Sequence, residues 1–340
     1  MTAAGRLMAA EIAEQPAVWR RLLAEGAEPI AAAAARIADA APRFVLFAAR
    51  GSSDYAALYA KYVVEIVHGL PAGLVSPSTM TVYGARPQLR DVLYVTVSQS
   101  GGSPDLVRSV EVARQQGALS LAVTNNPSSE LAAAAEIHVD VLAGPERSVA
   151  ATKSYTAELL ALYLLFGRAE ARHVTHLPDL AERVLTYDVG NLAQRYRFAQ
   201  RLITTGRGYS YPTACDAALK LMETCYLSAQ AFSGADLLHG PVAAVDAQVP
   251  VLAIVSEGAG GRAMLPVLSR LAERGADIVV VGAGTAQHLA GRIALPTGIP
   301  EELSPLLEIL PLQQLALQLA IARGEDPDNP RGLHKVTHTL

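Results

Sequence analysis

Hydrophobic residues along the chain cluster in two alternating ways. Short apolar runs at 44–48, 92–97, 119–124, 202–205 and 278–281 read as strands buried on both faces. Between them apolar residues recur at helical spacing, as Leu106, Val110 and Ala113 do ahead of Gly117. The alternation predicts an α/β protein with parallel sheets covered by helices on both faces. In such sheets ligands sit outside the carboxyl ends of the strands. There the chain reads Ser98-Gln99-Ser100-Gly101-Gly102-Ser103-Pro104. Ser103 fits the N-cap of the next helix, with Pro104 at its first position and Asp105 behind. The first-turn N–H groups of that helix have no intrahelical partners and can hold an anion. The glycines allow close approach, and the hydroxyls can donate to phosphate oxygens. An ordinary capped helix uses the same residues, so the loop alone does not decide.

The chain also repeats. Arg-Gly-x-Ser steps start at Arg50 and Arg207, Val97-Ser98 is echoed by Val255-Ser256, and the strand at 119–124 by that at 278–281. The shared offset is about 157 residues to within a residue or two, which points to two copies of one βαβ domain. The second loop reads Ser256-Glu257-Gly258-Ala259-Gly260-Gly261. A glutamate there repels phosphate, so one intact anion pocket per chain is expected. The expected layout is a helical extension (1–30), a first domain (31–170), a linker (171–190), a second domain (191–325) and a tail (326–340). His173, His176 and Pro178 are read as breaking the pattern within 170–188, and 324–330 as irregular.

Composition narrows the class. The chain has 340 residues, enough for two cores, with 51% hydrophobic and 18% charged residues. A net charge of −4, with no basic stretch interleaved with aromatics, argues against nucleic acid. No uninterrupted apolar run reaches membrane-spanning length, since 309–321 is broken by Gln313, Gln314 and Gln318. The N-terminus lacks a signal pattern, and Cys215 and Cys225 form no metal-type pair, so a cytoplasmic location is expected. His173-x-x-His176 lacks acidic or cysteine companions and reads as structural, with no metal site expected.

At this point the residues resemble a known family. Ser-Gln-Ser-Gly at 98–101, Ala-Gly-Pro-Glu at 143–146 and Ala-Thr-Lys-Ser at 151–154 are similar to the sugar isomerase (SIS) domains of glucosamine-6-phosphate synthase. The stretch 8–16 resembles its linker helix, 218–223 and 238–241 its catalytic segment, and 330–335 its closing tail. The resemblance implies two tandem SIS domains, each a flavodoxin-like or Rossmann-like parallel sheet, with an N-terminal helix and a C-terminal tail. There are departures. The chain begins Met1-Thr2-Ala3 just ahead of the linker helix, so no glutaminase domain and no glutamine-derived ammonia are expected. Arg50-Gly51-Ser52-Ser53 replaces a Cys-Gly-Thr-Ser pattern, and Gly102-Ser103-Pro104-Asp105 a Glu-Thr-containing one. Asp216 stands where the synthase has a glutamate. Such loops look more like stand-alone aminosugar-phosphate deaminases and deglycases.

The chemistry then has candidates. Ser53, Ser98, Gln99, Ser100 and Ser103 are expected to bind the phosphate, and Gly51, Ser52, Ala150 and Lys220 other parts of the substrate. His239 suits ring opening, since an imidazole exchanges protons near neutral pH. In the resembling family this histidine reaches the neighbouring subunit's site, which implies a homodimer. Glu223, three residues after Lys220, is the expected base, because a carboxylate partly shielded from water can shuttle a proton between C2 and C1. The same spacing also fits an ordinary surface ion pair. Lys335, on the tail, can stabilise an oxyanion or form an imine with an open-chain ketose. The reading is conversion of glucosamine 6-phosphate to fructose 6-phosphate and ammonia, with no cofactor required. Alternatives are a dehydratase acting on N-acetylglucosamine 6-phosphate, a deglycase, and a non-catalytic phosphosugar sensor.

Overall fold

In chain order the computed structural model contains helices α1 (Arg6–Arg21) and α2 (Ala27–Ala40), then β1 (Phe44–Ala48), α3 (Ser52–Val63), β2 (Ala72–Leu74), β3 (Val92–Ser98), α4 (Pro104–Gln115), β4 (Leu119–Thr124), β5 (Ile137–Asp140) and α5 (Lys153–Phe166). There follow α6 (Leu177–Val184), β6 (Arg201–Gly206), α7 (Ser210–Cys225), β7 (Ser228–Ser233), β8 (Pro250–Ile254), α8 (Ala259–Glu273), β9 (Asp277–Gly282), β10 (Gly291–Ala294) and α9 (Ser304–Ala322), with shorter helical turns between. Residues 4–168, 170–284 and 289–335 are described, so Val336 and Thr337 of the expected tail lie outside them.

Two five-stranded sheets form, every strand parallel to its neighbours. One is ordered β2-β1-β3-β4-β5 and the other β7-β6-β8-β9-β10, the same order in both copies. The registers also correspond, since Val45 lies opposite Leu93 in the first sheet and Ile203 opposite Val251 in the second. The central strands are buried on both faces, as strands covered by helices must be: the last six residues of β3 and all five of β8 are buried. In this order the sheet reverses direction of build between β1 and β3, and between β6 and β8. Those are the positions where α/β sheets receive ligands.

The chain divides into two compact units. One comprises Ala17–Glu146, Lys153–Arg168 and His334–Leu340 and carries the first sheet. The other comprises Met1–Pro16, Arg147–Thr152 and Ala169–Leu333 and carries the second. Helix α4 follows expectation, with Ser103 at the N-cap, Pro104 in the first turn and Leu106, Val110 and Ala113 buried. The stretch 170–188 differs. It contains Ala171–Thr175 and α6, and Pro178 sits in the first turn of α6, where a missing N–H costs nothing. Helix α9 is apolar enough to span a membrane by composition, yet it is mostly buried, packing on α7 and on Gly190–Tyr196. Its Gln313 is satisfied internally. It accepts from Gln15 Nε2 at 2.9 Å and donates to the Thr152 carbonyl at 3.3 Å.

Each copy ties the start of its first inter-strand helix to a buried carboxylate on its last helix. Ser53 Oγ donates to Glu158 at 2.9 Å, and Ser210 Oγ donates to Glu308 at 3.0 Å. Thr213 adds a second, longer donation to Glu308. Burial pushes the Glu308 carboxyl from 4.5 up to about 8, against the pull of the Ser210 and Thr213 hydroxyls and with the nearby Glu301 charge adding to the rise. The folded chain therefore keeps this proton at neutral pH while the unfolded chain has released it. Stability contributed by this group is full below the unfolded value and falls as pH rises, levelling off above about 8. Glu308→Gln, which imitates the neutral carboxyl, is expected to flatten this slope by up to roughly 1.4 kcal/mol per pH unit. Urea unfolding between about pH 5 and pH 8 measures it, and an unchanged slope contradicts the assignment.

Candidate functional site

The unit with the first sheet carries a hydroxyl-lined loop at the carboxyl end of β3. Gly101 has φ +64°, and a Cβ there would overlap Ser129 Oγ, so only glycine fits. Ser98 Oγ accepts the Gly101 N–H at 3.2 Å and Ser100 Oγ accepts the Gly102 N–H at 3.3 Å. An accepting hydroxyl still has its proton to donate, so both serines remain donors toward a ligand. Ser103 occupies the N-cap position without making a capping hydrogen bond, so its hydroxyl is not spent on the helix. Gln99 is half-buried, its carbonyl held by the Asn125 N–H at 3.1 Å.

Across the reversal point, Gly51 has φ +58° and precedes α3, and Ser52, the first residue of α3, is buried. Ser53 departs from expectation. Its hydroxyl proton goes to Glu158 in this structure, and the same tie recurs at Ser210. A residue given no role by sequence reasoning stands beside it. The Arg50 guanidinium is 2.7 Å from the buried Asp105 carboxylate in the first turn of α4, while its own side chain is 47% exposed. Asp105 thus anchors a half-exposed positive charge beside the serine loop. The available signal was the Arg-Gly-Ser-Ser departure itself.

The same unit seats the tail. Lys335 Nζ lies 3.0 Å from Glu146 Oε2, and the Glu146 side chain is fully buried. Ser154, in the first turn of α5, donates its N–H to Oε1 at 3.0 Å and its hydroxyl to Oε2 at 2.6 Å. Glu146 therefore rests on a helix N-terminus, which favours its negative charge, and presents that charge to the tail lysine. Glu146 belongs to the Ala-Gly-Pro-Glu stretch and Ser154 lies eight residues on, but Lys335 is 189 residues away and gave no local signal.

The other unit carries the candidate proton-transfer group. Lys220 Nζ is 2.6 Å from Glu223 Oε2, with the lysine side chain 1% exposed and the glutamate 21%. Thr224 Oγ1 donates to the Lys220 carbonyl at 2.7 Å, and Asp216 is buried one turn earlier on the same face of α7. The bland surface pair allowed by the spacing is not what forms, because the ammonium is inside the protein. At the end of α7, Tyr226 Oη accepts the Arg331 N–H at 2.8 Å and its ring stacks beneath the Arg331 guanidinium at 3.7 Å. His239 is exposed after the short helix Gly234–Leu238, and among the described residues it makes no hydrogen bond to Glu223 or Lys220. Ala150 is buried and can offer a ligand only its backbone. The second-copy loop is filled by Glu301, whereas Glu257, expected to repel phosphate, accepts the Gly298 N–H at 2.7 Å. The described residues contain no cluster of three metal-ligating side chains.

A profile described as SIS domain matches residues 40–168 and 196–323. The chain is 33% identical over 306 residues to a glutamine–fructose-6-phosphate aminotransferase (isomerizing) of Thermus thermophilus, covering 84% of this chain and 50% of that protein. It spans about half the length of the aminotransferases it matches. Among solved structures, a protein of Silicibacter pomeroyi provisionally assigned as a phosphosugar isomerase is 34% identical with TM-score 0.88, covering 95% of this chain and 99% of that one. The C-terminal domain of glucosamine-fructose-6-phosphate aminotransferase from Francisella tularensis is 26% identical with TM-score 0.83, covering 96% and 99%.

The Glu146 seat predicts the behaviour of the tail. Glu146→Gln removes the charge that Lys335 meets, and limited trypsin digestion is expected to cut after Arg331 and Lys335 about tenfold faster, the effect of roughly 1.4 kcal/mol. An unchanged cutting rate means the tail is held elsewhere.

Proposed function

The chain belongs to the SIS domain family, and on that premise we propose that it converts glucosamine 6-phosphate to fructose 6-phosphate and ammonia. The observation that carries the reading is the Glu223 carboxylate, one-fifth exposed and held by a lysine that is itself buried. A buried ammonium fixes one carboxylate oxygen and leaves the other to reach a substrate proton.

In the proposed reaction the phosphate binds to Ser98, Gln99, Ser100 and Ser103, with the Arg50 guanidinium adding positive charge. His239, exposed as a residue offered to a second copy of the chain would be, opens the ring by moving a proton between ring oxygen and C1 hydroxyl. Glu223 takes the C2 proton of the open-chain aldehyde, giving an enaminol, and returns it to C1. The product is a C2 imine, which water hydrolyses to the ketone with release of ammonia. Lys335 stabilises negative charge on the C1 oxygen while the proton is in transit. Both cysteines are buried, and burial pushes the Cys225 thiol up to about 11.

Incubation of the protein with glucosamine 6-phosphate and, separately, N-acetylglucosamine 6-phosphate, followed by mass spectrometry, tests this reading. Fructose 6-phosphate with ammonia from the first is expected, whereas loss of one water from the second would make the chain a dehydratase. Glu223→Gln is expected to lower kcat about 10²–10⁴-fold with little change in KM, as removal of a general base does. Ser98→Ala is expected to raise KM instead, roughly tenfold or more for one charge-assisted hydrogen bond. Near-normal turnover by Glu223→Gln on both sugars would remove Glu223 from the mechanism.

A further inference from the structure

The loop after β8 stands where the second copy would receive a ligand, at the reversal between β6 and β8. The chain's own carboxylate fills it. Glu301 opens the short 3-10 turn (Glu301–Leu303) that leads into α9. Its Oε1 accepts from Ser256 Oγ at 2.7 Å, from the Gly260 N–H at 2.8 Å and from the Gly261 N–H at 3.3 Å. Its Oε2 accepts the Ala259 N–H at 2.8 Å. Ala259, Gly260 and Gly261 are the first three residues of α8, so their N–H groups have no intrahelical acceptor.

The surroundings are shaped to the carboxylate. A Cβ on Gly258 or Gly260 would overlap the Glu301 carboxyl group, and one on Gly261 would overlap the Ser256 carbonyl. Beside the seat lies a cavity of about 220 Å³, lined in part by Ser256, Gly258, Gly261, Arg262 and Leu265. Three backbone donors and one hydroxyl around a glycine-lined space form an oxyanion site. The occupant already there is an oxyanion.

We propose that the second copy retains an oxyanion-binding site that Glu301 fills in cis as a tethered ligand, and that phosphate-class anions enter it once that side chain is removed. The seat also has a structural output. Glu301 starts the turn into α9, α9 carries Glu308, and Glu308 receives Ser210 and Thr213 from the start of α7. A carboxylate locked in the cradle thus fixes the helix on which the partners of α7 depend.

The test is phosphate stoichiometry. Isothermal titration with inorganic phosphate at fixed ionic strength compares the full-length wild type with Glu301→Gly. The variant is expected to bind one phosphate per chain more than the wild type. This difference does not depend on how many phosphates the Ser98 loop takes, so failure of that reading and failure of this one are separable. Thermal unfolding gives a second measurement. The Tm deficit of Glu301→Gly against wild type is expected to narrow in phosphate or acetate relative to chloride at equal ionic strength. Glu301→Gln keeps the size but turns an amide N–H₂ toward N–H donors, so its Tm is expected to fall by a few degrees. Equal phosphate stoichiometry in wild type and Glu301→Gly, or a Glu301→Gln variant as stable as wild type, would overturn the proposal.

Discussion

The first turn of a helix exposes N–H groups that its own backbone cannot satisfy, and a parallel α/β sheet gathers such turns along one edge. In this chain carboxylates meet the starts of four helices, through N–H groups at α5 and α8 and through hydroxyls at α3 and α7. Helix α3 meets Glu158 through Ser53, α5 meets Glu146 through Ser154, and α7 meets Glu308 through Ser210 and Thr213. Helix α8 meets Glu301 through three N–H groups. Helix α4 is arranged differently. The carboxylate in its first turn, Asp105, is its own and faces Arg50, while Ser98, Ser100 and Ser103 keep hydroxyl protons to offer.

Three of these carboxylates differ in what else reaches them. Glu146 receives the Lys335 ammonium although its side chain is fully buried. Glu308 receives hydroxyls only, and desolvation raises its pKa to about 8. Glu301 keeps partial exposure and accepts from one hydroxyl and three N–H groups. Helix starts in this chain therefore carry a seat for the tail lysine, a stored proton and a glycine-lined cradle. Hydrogen-bond inventory and burial, more than sequence position, decide which.

Local pattern was enough for much of this. The apolar run at 92–97 became β3, that at 119–124 became β4, and Ser103-Pro104 opened α4. The offset near 157 residues surfaced as two sheets of identical strand order. The loop at 98–103 and the Lys220–Glu223 pair could be named because their residues are close in sequence. The carboxylate partners could not. Ser53 and Glu158 are 105 residues apart, and Ser256 and Glu301 are 45 apart. A glutamate on a helix or turn looks like surface until the fold delivers its donors. Pro178 shows the converse limit, since a proline reads as a breaker or a starter only once the helix boundary is known.

The filled loop of the second copy bears on how duplicated proteins diverge. When one of two equivalent sites falls out of use, its backbone donors remain, because they belong to the strand-to-helix turn and not to any replaceable side chain. An internal acceptor seated on those donors then bears on the folding of the half that holds it. A glutamate seated like Glu301 thus makes the strand-to-helix turn of the second copy depend on a residue 45 positions further along the chain.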